Sequence, residues 1–111
     1  MLLWKIRYWN NEETGNSPVE KWLSKLTDEK LAMISEELSK LAQRGNELNM
    51  PHSKALGQGL FELREREFGL RIYYGFNGEC IVILLAAGDK TSQDRDIKTA
   101  RTRLLTIKKG K

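Results

Sequence analysis

Three stretches in the second half of the chain have the pattern of strands, the first two by alternation of hydrophobic and polar residues and the third by a continuous apolar run. These stretches are residues 59–66, 70–76 and 80–87. Alternation places successive side chains on opposite faces of a strand, so the pattern predicts three consecutive strands. Asn77-Gly78 favours a two-residue type I′ turn, and a second tight reversal is expected near Glu67 and Phe68. The third stretch is apolar on both faces, which predicts the central strand of an antiparallel sheet.

The first half of the chain has the periodicity of helices. Residues 2–9 predict a strand rather than a signal peptide, because charges interrupt their apolar run. Ser17-Pro18-Val19-Glu20 then predicts a helix start, with a capping box from Ser17 and Glu20. A second helix is expected from Thr27 or Asp28 to Gly45, since its apolar residues recur every three or four positions. These residues are Leu31, Ile34, Leu38, Leu41 and Ala42.

Two further segments complete the expected architecture. Residues 46–59 lack a clear period and predict an irregular connection. A last helix is expected to begin near Ser92 or Asp94 and to bury one apolar stripe. The stripe consists of Ile97, Ala100, Leu104 and Ile107.

Composition narrows the class of protein. The 111 residues predict a single domain spanning 1–111, and no apolar run approaches the roughly 18 residues of a membrane span. The single cysteine, Cys80, has no partner for an internal disulfide, and no cluster of residues has metal-ligand spacing. We therefore expect a cytoplasmic protein with no metal, no cofactor and no membrane partner.

Charge is unevenly distributed along the chain. Residues 1–53 hold seven basic and eight acidic residues, whereas residues 54–111 hold twelve basic and seven acidic ones. A basic half is typical of proteins that bind polyanions, although a solvated helix face with a basic tail would give the same imbalance.

The predicted strand pairing places basic residues on one face of the sheet. The turns would set Arg64 opposite Arg71, Tyr73 opposite Val82, and Arg71 opposite Leu84. Strand alternation would then gather a polar face of Glu62, Arg64, Arg66, Arg71, Tyr73, Val82 and Leu84, away from the helices. Such a face favours a nucleic-acid partner. The alternative is that Glu62 and Glu65 simply pair with these arginines at the surface.

Two more positions are candidates for chemistry. Lys90 lies just after the third strand, beside an expected helix N-terminus, where it could hold a phosphate. His52, next to Ser53 and Lys54, is either a general acid or base or an ordinary surface histidine. We also predict RNA contacts by Arg66, His52 and Arg95.

Four segments together resemble the RelE/ParE toxin superfamily, and in particular its HigB-like branch of addiction-module killer proteins. They are Arg44-Gly45-Asn46, the run from Lys54 to Arg64, the run from Leu70 to Tyr74, and the run from Gly88 to Ile97. The resemblance implies an α+β RelE-like fold. In that fold a small, mostly antiparallel sheet packs against an N-terminal helical hairpin and a C-terminal helix.

The resemblance also implies a function, namely the toxin of a type II toxin–antitoxin system. RelE-like and HigB-like members are metal-independent endoribonucleases that cut mRNA on the ribosome, whereas ParE-like members inhibit DNA gyrase. A third alternative is an inactive homologue that acts as a co-repressor with its antitoxin. The implied partners are a HigA-like helix-turn-helix antitoxin, the ribosome and mRNA, with operator DNA bound only through the antitoxin.

Carried over residue by residue, the resemblance implies a catalytic set. Lys54 matches the basic position after the helical hairpin, Arg64 and Arg71 match the strand arginines, and Lys90 matches the basic position after the third strand. No Tyr or His follows Lys90, unlike in the better-known members. Tyr73 or His52 is the candidate substitute; otherwise the reaction runs on lysine and arginine alone.

Overall fold

The structure, a computed structural model, describes residues 3–109 and has one sheet with helices on both faces. The elements are β1 (Lys5–Tyr8), α1 (Pro18–Ser24), α2 (Asp28–Arg44), β2 (Ser53–Gly57), β3 (Leu60–Glu65), β4 (Leu70–Phe76), β5 (Ile81–Gly88) and α3 (Gln93–Lys109). The strand order is β1-β5-β4-β3-β2. β1 runs parallel to β5, and the other neighbours are antiparallel. The α+β architecture predicted from the sequence is confirmed.

The helical hairpin forms where the sequence places it, with one difference in capping. The hydroxyl of Thr27 accepts the N–H of Lys30 at the start of α2, and Gly45 ends that helix with a φ of 53°. Pro18 opens α1 as expected, but Ser17 makes no side-chain capping bond. Its hydroxyl donates to Asn10 instead. The predicted capping box is therefore wrong, because Ser17 has found a partner in the preceding loop.

The sheet has an apolar core on each face. One core joins strands β3–β5 to α1 and α2 through buried residues that include Leu63, Ile72, Tyr74, Val82, Leu84, Ile34 and Leu41. The other joins the opposite face to α3 through Leu60, Tyr73, Leu85, Ala86, Ala100 and Leu104, with Ile97 and Ile107 packed against them. The predicted stripe of the last helix is confirmed. None of the helices within residues 3–109 is long and apolar enough to cross a membrane.

The strand register agrees with the sequence prediction for one hairpin and differs for the next. Arg64 lies opposite Arg71 across β3 and β4, as predicted. In the second hairpin Phe76 lies opposite Val82 and Tyr74 opposite Leu84, and a bulge follows at Tyr73/Tyr74. The predicted pairs of Tyr73 with Val82 and of Arg71 with Leu84 are wrong. Val82 and Leu84 consequently face the helical hairpin rather than the polar side.

The physical reason for this difference lies in the loop after β4. The two-residue turn at Asn77-Gly78 does not form; instead the N–H of Asn77 donates to the carbonyl of Ile81 at 3.0 Å. Cys80 in this loop has a φ of 60°, in the left-handed region. Between this loop and the bulge, the longer loop shifts the register by an odd number of residues, and an odd shift exchanges the two faces of a strand.

Two other expectations are corrected by the sheet. The connection predicted over residues 46–59 contains the short strand β2, which pairs with β3 through a bulge between Ala55 and Gly57. Strand β4, not β5, occupies the middle of the sheet. β2 escaped prediction because it is a short edge strand with three of its five residues exposed, so it carries little apolar alternation.

Gly45→Ala should destabilise the fold strongly. An added Cβ would lie 1.9 Å from Cε2 of Trp4, in a backbone conformation that already disfavours side chains. We expect a loss of about 3 kcal/mol in the free energy of unfolding, measured by urea denaturation. The matched control is Gly15→Ala, which has a φ of 74° but no atom within 4 Å of the added Cβ. It should cost only about 1 kcal/mol. Equal losses in the two variants would contradict the role of the Trp4 contact.

A candidate anion-binding cleft

One cleft gathers basic side chains from three strand ends. It has a volume of about 420 Å³ and lies where β3 ends, β4 begins and β5 passes into α3. It is lined by Met50, Pro51, Arg64, Glu65, Arg66, Gly69, Arg71 and Lys90. Four of these eight residues are basic and one is acidic, so the cleft is suited to an anion.

The turn between β3 and β4 is held by Glu65, whose side chain is buried. Its carboxylate accepts the backbone N–H groups of Glu67 at 2.5 Å, Phe68 at 3.0 Å and Leu70 at 3.4 Å. Three backbone donors converge on one carboxylate, so this side chain fixes the loop that carries Arg66 and forms one wall of the cleft.

Glu62 lies between the two opposed arginines and is fully buried. Its Oε1 is 3.2 Å from Nε of Arg64, and its Oε2 is 3.5 Å from Nε of Arg71. Guanidinium groups on directly opposed residues repel each other. A carboxylate between them offsets that repulsion. The alternative in which acidic residues pair with these arginines thus holds for Glu62, although below the surface, whereas Glu65 binds backbone.

The segment that carries Lys90 and leads into α3 is linked to the same carboxylate through Gln93. Nε2 of Gln93, the first residue of α3, donates to Oε2 of Glu62 at 2.8 Å. Just before α3, Asp89 accepts the N–H of Thr91 at 2.9 Å and caps the short turn that begins with Lys90. The hydrogen bonds from Thr91 lower the pKa of Asp89. Lys90 is therefore presented by an ordered turn.

Three basic side chains of the cleft have hydrogen-bond donors without an acceptor among residues 3–109. Within residues 3–109, no acceptor pairs with the side chains of Arg66 or Lys90, and Arg64 contacts only Glu62, through Nε. Arg71 is different, because it is only 9% exposed and donates from Nη1 to the carbonyl of Gly69 at 3.1 Å. The cleft thus combines three available cations with one that is largely committed to the fold.

Tyr73 does not lie on an open surface, contrary to the sequence prediction. Helix α3 covers this face, and the Tyr73 ring is fully buried. Burial raises the pKa of Tyr73 above its usual value, and the neighbouring Glu62 carboxylate raises it further. The hydroxyl therefore keeps its proton at neutral pH, and the ring cannot stack on a nucleotide base.

Three other predicted site residues lie outside the lining of the cleft. His52 hydrogen-bonds through Nδ1 to Glu37 on α2 at 2.9 Å. Arg95 is 78% exposed on α3, beside Asp96. Lys54 is exposed on the edge strand β2, opposite Glu62. Of the predicted set, the cleft brings together Arg64, Arg66, Arg71 and Lys90.

Sequence reasoning missed the burial of Glu62 and the contact that Gln93 makes with it. Glu62 is two residues before Arg64, so strand alternation placed it correctly on the arginine face, but nothing in the pattern indicated burial. Gln93 carried no signal at all. Within residues 3–109, no group of three or more His, Cys, Asp or Glu side chains is placed to hold a metal ion.

Comparison with known proteins assigns the family and supports the fold. Residues 21–109 match the family described as Phage derived protein Gp49-like (DUF891), and the chain belongs to that family. An uncharacterized protein of Haemophilus influenzae is 40% identical over 84 residues, which cover 74% of this chain and 81% of the relative.

Two solved structures of the E. coli toxin RelE have a similar fold. A mutant in the free state superposes with a TM-score of 0.65 and 13% identity, covering 92% of this chain and 98% of that one. The isolated toxin gives a TM-score of 0.56 and 14% identity, covering 83% and 94%. The predicted RelE-like fold is confirmed. The HigB-like assignment stays a prediction.

Tyr73→Phe should reduce the loss of stability at alkaline pH. Tyr73 and Tyr74 both have pKa values raised by burial above the ordinary 10.0. The unfolded chain releases these protons first, so their contribution to stability is complete below about pH 10 and is lost as pH rises further. Urea denaturation from pH 8 to pH 11 should show a shallower fall for the variant than for the wild type. An identical pH dependence would contradict the burial of this hydroxyl.

Proposed function

We propose that this Gp49-like protein is the toxin of a type II toxin–antitoxin system and acts as a ribosome-dependent mRNA endonuclease. The observation that carries the proposal is the convergence of Arg64, Arg66, Arg71 and Lys90 on one cleft of a RelE-like fold. Among nucleic acids, RNA has the 2′-hydroxyl that allows cleavage without a metal. A cleft lined by arginine and lysine can therefore act on RNA without a metal ion.

The cleft offers what phosphate chemistry on RNA requires. Attack of a 2′-hydroxyl on the adjacent phosphate builds negative charge on the phosphate oxygens, and placed cations stabilise that charge. Arg64 and Lys90 present unpaired donors from two different strand ends, so together they can contact one phosphate from two sides. Arg66, on the β3–β4 turn, is proposed to contact a neighbouring phosphate of the same RNA chain.

The proposed partners follow from the proposed toxin role. A toxin of this kind is neutralised by a cognate antitoxin, here proposed to be a HigA-like helix-turn-helix protein that also binds operator DNA. Ribosome and mRNA are the proposed targets, in the cytoplasm. A free cleft with three available cations attracts RNA by long-range electrostatics, and this attraction weakens with salt.

Arg64→Ala combined with Lys90→Ala should abolish growth arrest on induction in a bacterial host. This pair removes two available cations and leaves Glu62 paired with Arg71, so the variant should fold. Loss of one transition-state contact typically costs about a hundredfold to a thousandfold in rate. The charge-matched control is Arg7→Ala with Lys98→Ala, two exposed positions outside the cleft. Growth arrest by the first variant, at equal expression and melting temperature, would overturn the site assignment.

A second candidate function is inhibition of DNA gyrase, as in ParE-like proteins. The observation that favours it is that neither histidine nor tyrosine lines the cleft, so the usual groups for proton transfer are missing. Mapping mRNA 5′ ends after brief induction separates the two functions. Codon-phased ends are expected for the endonuclease. Intact transcripts with an induced DNA-repair response would favour gyrase, and no toxicity would favour an inactive co-repressor.

A further inference from the structure

We propose that Glu62 is a positioning residue, which holds Arg64 and Arg71 in the orientation that binds a phosphate group. The inference rests on the proposed function, because it takes the phosphate to belong to RNA. Glu62 itself is fully buried and does not reach the cleft surface. Its effect on a ligand must pass through the two arginines that it contacts.

The first step of the argument is the choice of nitrogen atoms. Glu62 lies nearest Nε of both arginines, at 3.2 Å for Arg64 and 3.5 Å for Arg71. A guanidinium approached at Nε keeps its two terminal nitrogens for another partner. In Arg64 both terminal nitrogens lack a partner within residues 3–109. The ion pair therefore draws the Arg64 side chain toward Glu62 without occupying its terminal nitrogens, which stay open to a phosphate.

The second step concerns why a carboxylate is buried at this position. Burying an ion pair is costly, and such pairs are weak sources of stability compared with apolar residues of similar volume. An apolar residue at position 62 would also leave Arg64 and Arg71 opposed without a counter-charge. Glu62 thus offsets a repulsion that the opposed arginines themselves create, and stability gives little reason for placing the three charges together. A specific reason for a buried carboxylate here is that it orients two cations beside a cleft.

The third step links Glu62 to the remaining wall. The hydrogen bond from Gln93 at 2.8 Å joins the same carboxylate to the first turn of α3. Lys90 lies three residues earlier, on the capped turn that leads into this helix. One carboxylate thus connects the strand that carries Arg64, the strand that carries Arg71 and the segment that carries Lys90.

The sign of one measurement separates positioning from simple electrostatics. Glu62→Gln removes a negative charge beside the cleft while preserving the shape of the side chain. If Glu62 acted only as a charge, the variant would bind anions more tightly, because the cleft becomes more positive. If Glu62 positions the arginines, the folded variant binds more weakly despite the added net charge.

The experiment titrates the purified proteins with two probes, a short single-stranded RNA and inorganic pyrophosphate. We expect Glu62→Gln to weaken binding of both by about tenfold at a melting temperature that shows a folded protein. The control is Glu37→Gln, which makes the same charge change at a partly buried carboxylate on α2 that pairs with His52 and Lys40. It should leave binding unchanged. Equal or tighter binding by Glu62→Gln would overturn the proposal.

A double-mutant cycle shows whether the effect passes through Arg64. In an Arg64→Ala background, Glu62→Gln should change affinity by less than about twofold, since its target is gone. Independent, additive losses would overturn the proposal. Gln93→Ala is a milder second variant, which should weaken binding about threefold and keeps the proposal testable if Glu62→Gln fails to fold. Unchanged binding by Gln93→Ala would then count against it.

Spectroscopy supplies a readout that does not depend on any ligand. In the wild type the ion pair should restrict the motion of the Arg64 side chain, so that its Nε order parameter in ¹⁵N relaxation is high, and Glu62→Gln should lower it. An unchanged order parameter would overturn the positioning role. Weaker pyrophosphate binding by Glu62→Gln, with no RNA binding by the wild type, would support the inference and count against RNA as the ligand of this cleft. Binding of neither probe by the wild type would refute both.

Discussion

The pairing of one buried carboxylate with two opposed arginines is the interaction on which the arrangement of the cleft depends. Arg64 and Arg71 are directly opposite across β3 and β4, a placement that is unfavourable without a counter-charge. Glu62 supplies that charge from the same face, and Gln93 donates to it from α3. The strand pair and the last helix therefore meet at one group that water does not reach.

Helix α3 contacts the sheet differently at its two ends. Toward the C-terminal part of α3, Ala100 and Leu104 pack on apolar strand residues. Toward its N-terminus the helix approaches β5 so closely that a Cβ at Gly88 would lie 2.0 Å from Asp96 Oδ2. Gly88 is opposite Arg71, so this close approach brings the N-terminus of α3 to the arginine pair. An apolar core thus anchors a helix whose polar end completes the cleft.

Local patterns in the sequence predicted most of the elements, and the errors have a common physical origin. Periodicity and caps found the helical hairpin, the last helix and the β3–β4 register, because each depends on residues close together in the chain. The β5 register failed because the loop at residues 77–80 is longer than the Asn77-Gly78 pair indicates. The polar face was expected to be open because nothing in the local pattern revealed that α3 covers it.

The site residues also divide into those related by residues close in the chain and those placed by tertiary packing. Arg64, Arg66 and Arg71 could be predicted together because strand alternation and one hairpin turn relate them. Lys54 and His52 are near them in the chain, but β2 is an edge strand and the His52 ring turns to Glu37 on α2. Tyr73 has the right alternation but lies deeper, under α3. Proximity to the cleft is decided by tertiary packing, which a single sequence does not display.

The residues that line the cleft also limit the chemistry it can perform alone. Arginine remains protonated, so Arg64, Arg66 and Arg71 can bind and stabilise charge but cannot act as a base. The carboxylate oxygens of Glu65 are occupied by backbone N–H groups. A cleft with this lining is suited to holding an anion and offers few groups for proton transfer. An RNA-cutting role would therefore gain from groups supplied by RNA or by the ribosome, which is consistent with activity that depends on the ribosome rather than on the toxin alone.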